Sequence, residues 1–121
     1  MILIFVLEMA LTNKLNRGSI WWVNLDPTIG SEIQKKRPCV IISHSNVNEV
    51  RKTVIIVPLS SSPKAYPPIA ISVKCQEKMV VAVCDQIRAI DKSRLLNFIE
   101  NMDVLEIQRI EQSLKKILVL P

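Results

Sequence analysis

One histidine, two glycines and an odd number of cysteines close off several kinds of chemistry in this chain of 121 residues. With His44 the sole imidazole, zinc finds no plausible ligand set. Cys39, Cys75 and Cys84 form neither a C-x-x-C pair nor a Cys/His cluster, so neither a disulfide framework nor a metal knuckle is expected. Cys39 and Cys84 sit inside apolar runs and read as buried thiols of a reducing compartment, which places the chain in the cytoplasm. No G-x-S-x-G occurs, and no His/Asp order supports a serine hydrolase. No apolar run approaches the roughly 20 residues of a membrane-spanning helix. Met1 to Leu7 is apolar, but Glu8 closes it before it has the length of a secretory signal, and Met9 offers a second start. Repeats, linkers and low-complexity tracts are lacking too, which leaves one domain.

What is present is a hydrophobic share of 49%, enough for a packed core, and a net charge of +5. The charge is uneven. Residues 1–94 carry 13 Lys/Arg against 7 Asp/Glu, whereas residues 95–121 carry 3 against 4. A basic face attracts polyanions, nucleic acid first, although solubility alone also explains such an excess.

Ile20 to Leu25, Pro38 to Ser43, Thr53 to Leu59, Ile69 to Val73 and Val80 to Cys84 read as strands, being rich in β-branched and apolar residues, and Asp85 to Ile90 continues the last. Polar segments join them: a loop over 28–36, a connection over 44–52 and the Ser/Pro-rich stretch 60–68. Strands at this spacing predict a small all-β barrel. Then the period changes. Asp103 and Glu106 have capping-box spacing, and Ile107, Ile110, Leu114, Ile117 and Leu118 fall on one face of an amphipathic C-terminal helix. A shorter helical turn fits Lys92 to Phe98.

Three places can carry chemistry. Lys35-Lys36-Arg37 precedes Pro38 at a strand mouth, and the Arg37 guanidinium can hold a phosphate through two hydrogen bonds. A lone basic triplet is more often a solvated loop. Ser60, Ser61 and Ser62 end the third strand, where a hydroxyl can donate to phosphate, though a serine-rich turn is the commoner case. Glu32 beside these cations either accepts a proton or neutralises a neighbour. His44, in a polar loop, is more often surface chemistry than an acid–base group. Trp21 and Trp22 point to opposite faces of a strand, so one belongs to the core and the other can stack on a base or pack at a subunit contact. Tyr66 has the same two readings.

In order, the pieces resemble the MazF/PemK toxins: Arg17-Gly18-Ser19-Ile20-Trp21-Trp22-Val23-Asn24-Leu25-Asp26-Pro27, then Gly30-Ser31-Glu32, then Arg37-Pro38-Cys39-Val40-Ile41-Ile42. Val57-Pro58-Leu59-Ser60 with Tyr66-Pro67, Asp85-Gln86-Ile87-Arg88 and Asp91-Lys92-Ser93-Arg94-Leu95 are similar to the family's later motifs. The likeness makes 17–121 the toxin-like domain. It leaves 1–16 as an N-terminal extension, either a disordered arm or a mis-assigned start.

The resemblance implies a mainly β (α+β) fold, a small SH3-like β-barrel of the CcdB/MazF type with a C-terminal helix, usually a homodimer. It implies an endoribonuclease that cuts single-stranded RNA at short specific sequences without metal or cofactor, leaving a 2′,3′-cyclic phosphate and a free 5′-hydroxyl, and a cognate antitoxin that blocks the RNA groove. The family's catalytic pair, the arginine of the R-P motif and a threonine after the third strand, maps to Arg37 and Ser60. Serine there is a departure, because it keeps the hydroxyl and loses the methyl that restricts the rotamer. Glu32 is the expected proton carrier. Lys35, Lys36, Ser61, Tyr66, Gln86 and Arg88 are the expected RNA contacts. Two other readings stand beside this one: a CcdB-like toxin that binds gyrase, and a catalytically weakened RNA-binding homologue.

Overall fold

A computed structural model describes residues 15–121, so the expectations placed on residues 1–14 lie outside the described residues. Among the described residues there are seven strands and two α-helices. In chain order they are β1 (Ser19–Asn24), β2 (Lys36–Ile41), α1 (Ser45–Val50), β3 (Thr53–Ser60), β4 (Ala70–Cys75), β5 (Lys78–Val83), β6 (Arg88–Asp91), β7 (Leu95–Asn101) and α2 (Val104–Leu118). All strand pairs are antiparallel, in the order β4-β5-β3-β2-β1-β7.

β3 organises this order. One edge pairs with β2. The other takes two partners in succession, β6 along Thr53 to Ile56 and β5 at Leu59 and Ser60. Pro58 lies at the changeover, where neither β6 nor β5 pairs and a residue without an N–H is accommodated. The apolar runs of β1, β2 and β3 follow from burial on both faces. Ile20, Val40, Val57 and Leu59 pack with β4, β5 and the Ile107, Ile110 and Leu114 face of α2. Trp21, Val23, Cys39, Ile41, Val54 and Ile56 form a second core with Leu25, Ile90 and Phe98. Trp21 is therefore the core tryptophan, edge-on to Phe98 at 5.7 Å.

The backbone ladder does not close into a ring: β4 and β7 are its two ends. Side chains cover the free edge of β4 instead. The amide of Lys74 donates to both carboxylate oxygens of Glu106 at 3.0 Å, the amide of Gln76 donates to Glu100 Oε1 at 3.2 Å, and Arg109 Nη1 donates to the carbonyl of Ser72 at 2.7 Å. Unpaired edge groups thus find partners without a further strand. This corrects half of the expected capping box. Asp103 does cap α2, accepting from the amide of Leu105 at 2.8 Å, but the Glu106 carboxylate serves β4 rather than the helix start.

Four other differences from the sequence reading have local causes. Asp85 to Ile90 does not continue β5: a 3₁₀ turn over Cys84–Gln86 frees β6 to pair with β3. The turn expected over Lys92 to Phe98 is confined to Lys92–Arg94, and Leu95 to Asn101 is a strand. Two register irregularities against β1 disrupt the alternation by which β7 would be read. In α2, Leu118 is exposed, because the helix stops there and Val119 turns left-handed at φ 56°.

The connection over 44–52 contains the short α1, capped by His44, whose Nδ1 accepts from the amide of Asn46 at 3.0 Å. That is a structural task for the only histidine. Asn48 of α1 is fully buried and hydrogen-bonded throughout. Its Nδ2 donates to the carbonyls of Leu15 (2.8 Å) and Ser43 (3.1 Å), and its Oδ1 accepts from Ser43 Oγ. Ser43 Oγ in turn accepts from the amide of Ile55. Asn48→Ala is expected to cost about 3 kcal/mol, since it strands several buried partners at once. A urea midpoint equal to that of the unsubstituted protein would show that water replaces the amide without loss.

Gly18 explains how the chain enters β1. Its φ of 93° favours glycine, although an added Cβ would make only ordinary contact with Ile107 of α2 at 3.4 Å. Its amide and carbonyl meanwhile tie the carbonyl of Ile41 and the amide of Met102.

Candidate functional site

β2 and β3 run antiparallel with Cys39 opposite Pro58 and Val40 opposite Val57. Continuing that register by two residues sets Arg37 opposite Ser60 and on the same side of the sheet. The side chains meet there: Arg37 Nη1 lies 3.4 Å from Ser60 Oγ. A second bond aims the guanidinium, Nε donating to the carbonyl of Gln34 at 2.9 Å. Two positions that are 23 residues apart are thus brought together by strand register alone.

Ser60 is buried and ends β3, pairing with Val81 of β5. Its oxygen accepts from Arg37 Nη1 and from the amide of Ser62, each at 3.4 Å. A hydroxyl has two acceptor positions and one proton. With both acceptor positions facing donors, the proton remains to be given outward. Both contacts are long for hydrogen bonds, so the pair is held near one another without being locked.

Around this pair lies an open groove of about 350 Å³. Its cationic lining is Lys36, Arg37 and Lys78, beside Trp22, Ser61 and Gln76, and no aspartate, glutamate or histidine among the described residues contributes. Trp22 is 38% exposed, so the outward member of the tryptophan pair faces the groove. Among the described residues the one salt bridge is Arg17 with Glu111, at 3.0 Å, outside this lining. Among the described residues the groove's cations therefore have no carboxylate partner within ion-pair distance, and their field is open to an incoming anion.

Of the residues expected from the sequence, Arg37, Ser60, Lys36 and Ser61 line this groove. The others lie elsewhere. Glu32 Oε1 accepts from the amide of Ile29 at 2.8 Å, an internal tie of the loop between β1 and β2. Lys35 has a φ of 72°, and its amide donates to Asp26 Oδ1. Gln86 Oε1 accepts from the amide of Ile33, and Arg88 Nη1 donates to the carbonyl of Leu25, both at 3.4 Å, so these two meet the same loop. Tyr66 is exposed and bridges to Ala70.

Lys78 and Gln76 were not anticipated. They belong to the β4–β5 hairpin, whose central residues Gln76 and Glu77 have φ of 52° and 65°. Turns of that shape ordinarily show themselves as Asn-Gly or Asp-Gly, and Gln-Glu gives no such signal.

Cys39 is no nucleophile. Burial pushes its thiol up to about 12, and the nearby Arg88 and Arg37 only partly oppose the shift. Burial likewise raises Cys84 to about 11 and lifts Cys75. Neutral thiols of this kind are poor nucleophiles and poor metal ligands. Among the described residues, no three His, Cys, Asp or Glu side chains converge as a metal cage would require.

Residues 16–118 match the PemK-like, MazF-like toxins of type II toxin–antitoxin systems. The chain is 32% identical over 115 residues to the endoribonuclease MazF9 of Mycobacterium tuberculosis, an alignment covering 84% of this chain and 93% of that protein. Its fold is similar to the crystal structure of MazF from Deinococcus radiodurans, with a TM-score of 0.78 at 23% identity over 86% of this chain and 96% of the other. It is also similar to a mycobacterial endoribonuclease solved with its cognate antitoxin, at a TM-score of 0.73 and 19% identity over 88% and 96% of the two chains.

Proposed function

Because the chain belongs to the PemK/MazF-like toxin family of type II toxin–antitoxin systems, we propose that it is an endoribonuclease toxin that cuts single-stranded RNA in the groove around Arg37 and Ser60. The observation that carries the assignment is the Arg37–Ser60 pair itself, at 3.4 Å, in the lining of a groove whose cations have no acidic partner among the described residues.

RNA supplies its own nucleophile. The 2′-hydroxyl gives its proton to solvent water and attacks the adjacent phosphorus in line with the 5′-oxygen; the bond from phosphorus to that oxygen breaks and the leaving oxygen takes a proton from water, giving a 2′,3′-cyclic phosphate and a free 5′-hydroxyl. Negative charge builds on the non-bridging oxygens as the fifth bond forms. Arg37 presents a cationic, planar fork of donors, so its part is to stabilise that charge with two of them. Ser60 adds its outward proton to the same oxygens. Lys36 and Lys78 hold the neighbouring phosphates, and Trp22 offers a face on which a base stacks. Among the described residues no carboxylate lines the groove, and in this reading the chain contributes chiefly electrostatics and alignment.

In this reading a cognate antitoxin silences the enzyme by covering the groove. The working form is a homodimer acting on messenger RNA in the cytoplasm. No described helix is long and apolar enough to cross a membrane, and the reading requires no membrane.

The test is incubation of the full chain with a long single-stranded RNA in EDTA, followed by mapping of 5′ ends. Discrete cuts bearing 5′-hydroxyls are expected. Intact RNA from a folded, antitoxin-free protein would turn the assignment towards a partner-binding toxin that poisons gyrase, for which DNA breaks on expression are the corresponding signature.

A further inference from the structure

The β1–β2 loop delivers Lys36 and Arg37 to the groove but contains no helix or strand of its own. Side chains from distant parts of the chain hold it. The strongest hold comes from Arg94, at the end of the 3₁₀ turn before β7. Its Nη1 donates to two carbonyls at the base of the loop, Asp26 at 2.6 Å and Asn24 at 3.2 Å. Register explains the reach: Leu95 pairs with Val23, which sets Arg94 beside the residues where β1 gives way to the loop.

A continuous path then leads from Arg94 to the site. Asp26, held by its carbonyl, accepts from the amide of Lys35 through Oδ1 at 2.9 Å. The amide of Leu25 donates to the carbonyl of Lys35, so the two ends of the loop are tied twice. Gln34, next to Lys35, presents its carbonyl to Arg37 Nε at 2.9 Å. That bond and the contact with Ser60 are the two that aim the guanidinium. Arg94 is half-buried and does not line the groove.

We infer that Arg94 is a positioning residue for RNA cleavage: it clamps the base of the β1–β2 loop, and through Asp26, Lys35 and Gln34 it fixes the direction of the Arg37 guanidinium. The inference rests on the cleavage reaction proposed above. Its physical content is geometric. Electrostatic stabilisation of a transition state requires the donor to be in place before charge develops. A displacement of about 1 Å is enough to lose about 10²-fold in rate. Released from Arg94, the loop keeps its charges, so the attraction for RNA persists while the alignment is lost.

Arg94→Ala and Arg94→Lys test this in the full chain. For Arg94→Ala, kcat on a single-stranded RNA is expected to fall about 10²-fold, with KM within about threefold and the salt dependence of binding unchanged. Backbone amide exchange over residues 25–36 is expected to quicken in the absence of RNA. Arg94→Lys keeps the charge and a donor near the carbonyls. It is expected to recover most of the rate, and it covers the case in which alanine costs the fold.

An unchanged kcat in Arg94→Ala overturns the inference. So does a raised KM with the salt slope reduced by about one phosphate and an unaltered loop, because Arg94 would then be an RNA contact. If the unsubstituted protein cuts no RNA, the functional reading is what fails. Amide exchange of the loop then decides the clamp by itself, with equal rates in the variant and the parent removing it.

Discussion

Arg37→Ala is expected to lower RNA cleavage by about 10³-fold or more while leaving the fold in place, because the substitution removes the one side chain that presents charge and paired donors to the reacting phosphate. The folded state tolerates the loss. Arg37 stands near the start of β2, is half-buried, and its side chain donates two hydrogen bonds, to the carbonyl of Gln34 and to Ser60 Oγ. Neither core includes it. The expected stability cost is about 1 kcal/mol, the typical worth of a hydrogen bond exchanged for water. Single-turnover cleavage together with thermal unfolding separates the two effects. Arg37→Lys refines the result: it keeps the charge and loses the planar fork, so a rate between those of the parent and the alanine variant is expected. A folded Arg37→Ala protein that cuts RNA at the parental rate would remove the proposed mechanism, whatever the family resemblance.

The second large effect is expected at Ser60. Removal of one preorganised donor to a developing oxyanion typically costs about 10² to 10³ in rate, and Ser60→Ala is expected to fall in that range. The loss should appear in kcat, with RNA affinity retained, since Lys36, Arg37 and Lys78 are untouched. Ser60→Thr tests the departure from the family pattern. A threonine keeps the proton and adds a methyl that narrows the rotamer choice, favouring a hydroxyl already turned to the phosphate. Ser60 is only 7% exposed, so the methyl must find room beside Leu59 and Val81. Increased kcat in Ser60→Thr would identify the serine as an attenuating residue. Parental kinetics in Ser60→Ala would show that Arg37 acts without it.

The two substitutions are expected to be non-additive. Arg37 Nη1 donates to the Ser60 oxygen, so each side chain helps to orient the other. When two groups act on the same oxygens, losing either removes most of what both supply. A double variant no slower than Arg37→Ala alone is therefore the expected outcome of the cycle.

Much of the fold was legible because burial leaves a local trace. The apolar runs of β1, β2 and β3 are continuous because both faces of those strands are covered, and the helical period of Ile107, Ile110 and Leu114 marks the buried face of α2. Where burial is partial, the trace weakened. β7 is half-buried and irregularly paired, so it carries no alternation, and in the sequence its first residues, Leu95 to Phe98, also fit a helical turn. α1 is six residues long and polar, and its one buried side chain, Asn48, is of a type usually found outside. The edge of β4 is protected by Glu100, Glu106 and Arg109, none of which has a sequence pattern pointing to a strand.

For the candidate site, the chemistry of individual residues was readable and their grouping was not. The sequence by itself determined which side chains can meet a phosphate, that zinc has no plausible ligand set, and that the order of motifs resembles that of the MazF/PemK toxins. It did so because residue type and order are local properties. Only the tertiary structure decided that Arg37 faces Ser60, that Lys78 and Trp22 share their groove, and that Glu32, Gln86 and Arg88 hydrogen-bond to the backbone of the β1–β2 loop. The physical reason is strand register. A shift of one residue between β2 and β3 would turn Arg37 and Ser60 to opposite faces, and that register is set by the packing of two cores on both sides of the sheet.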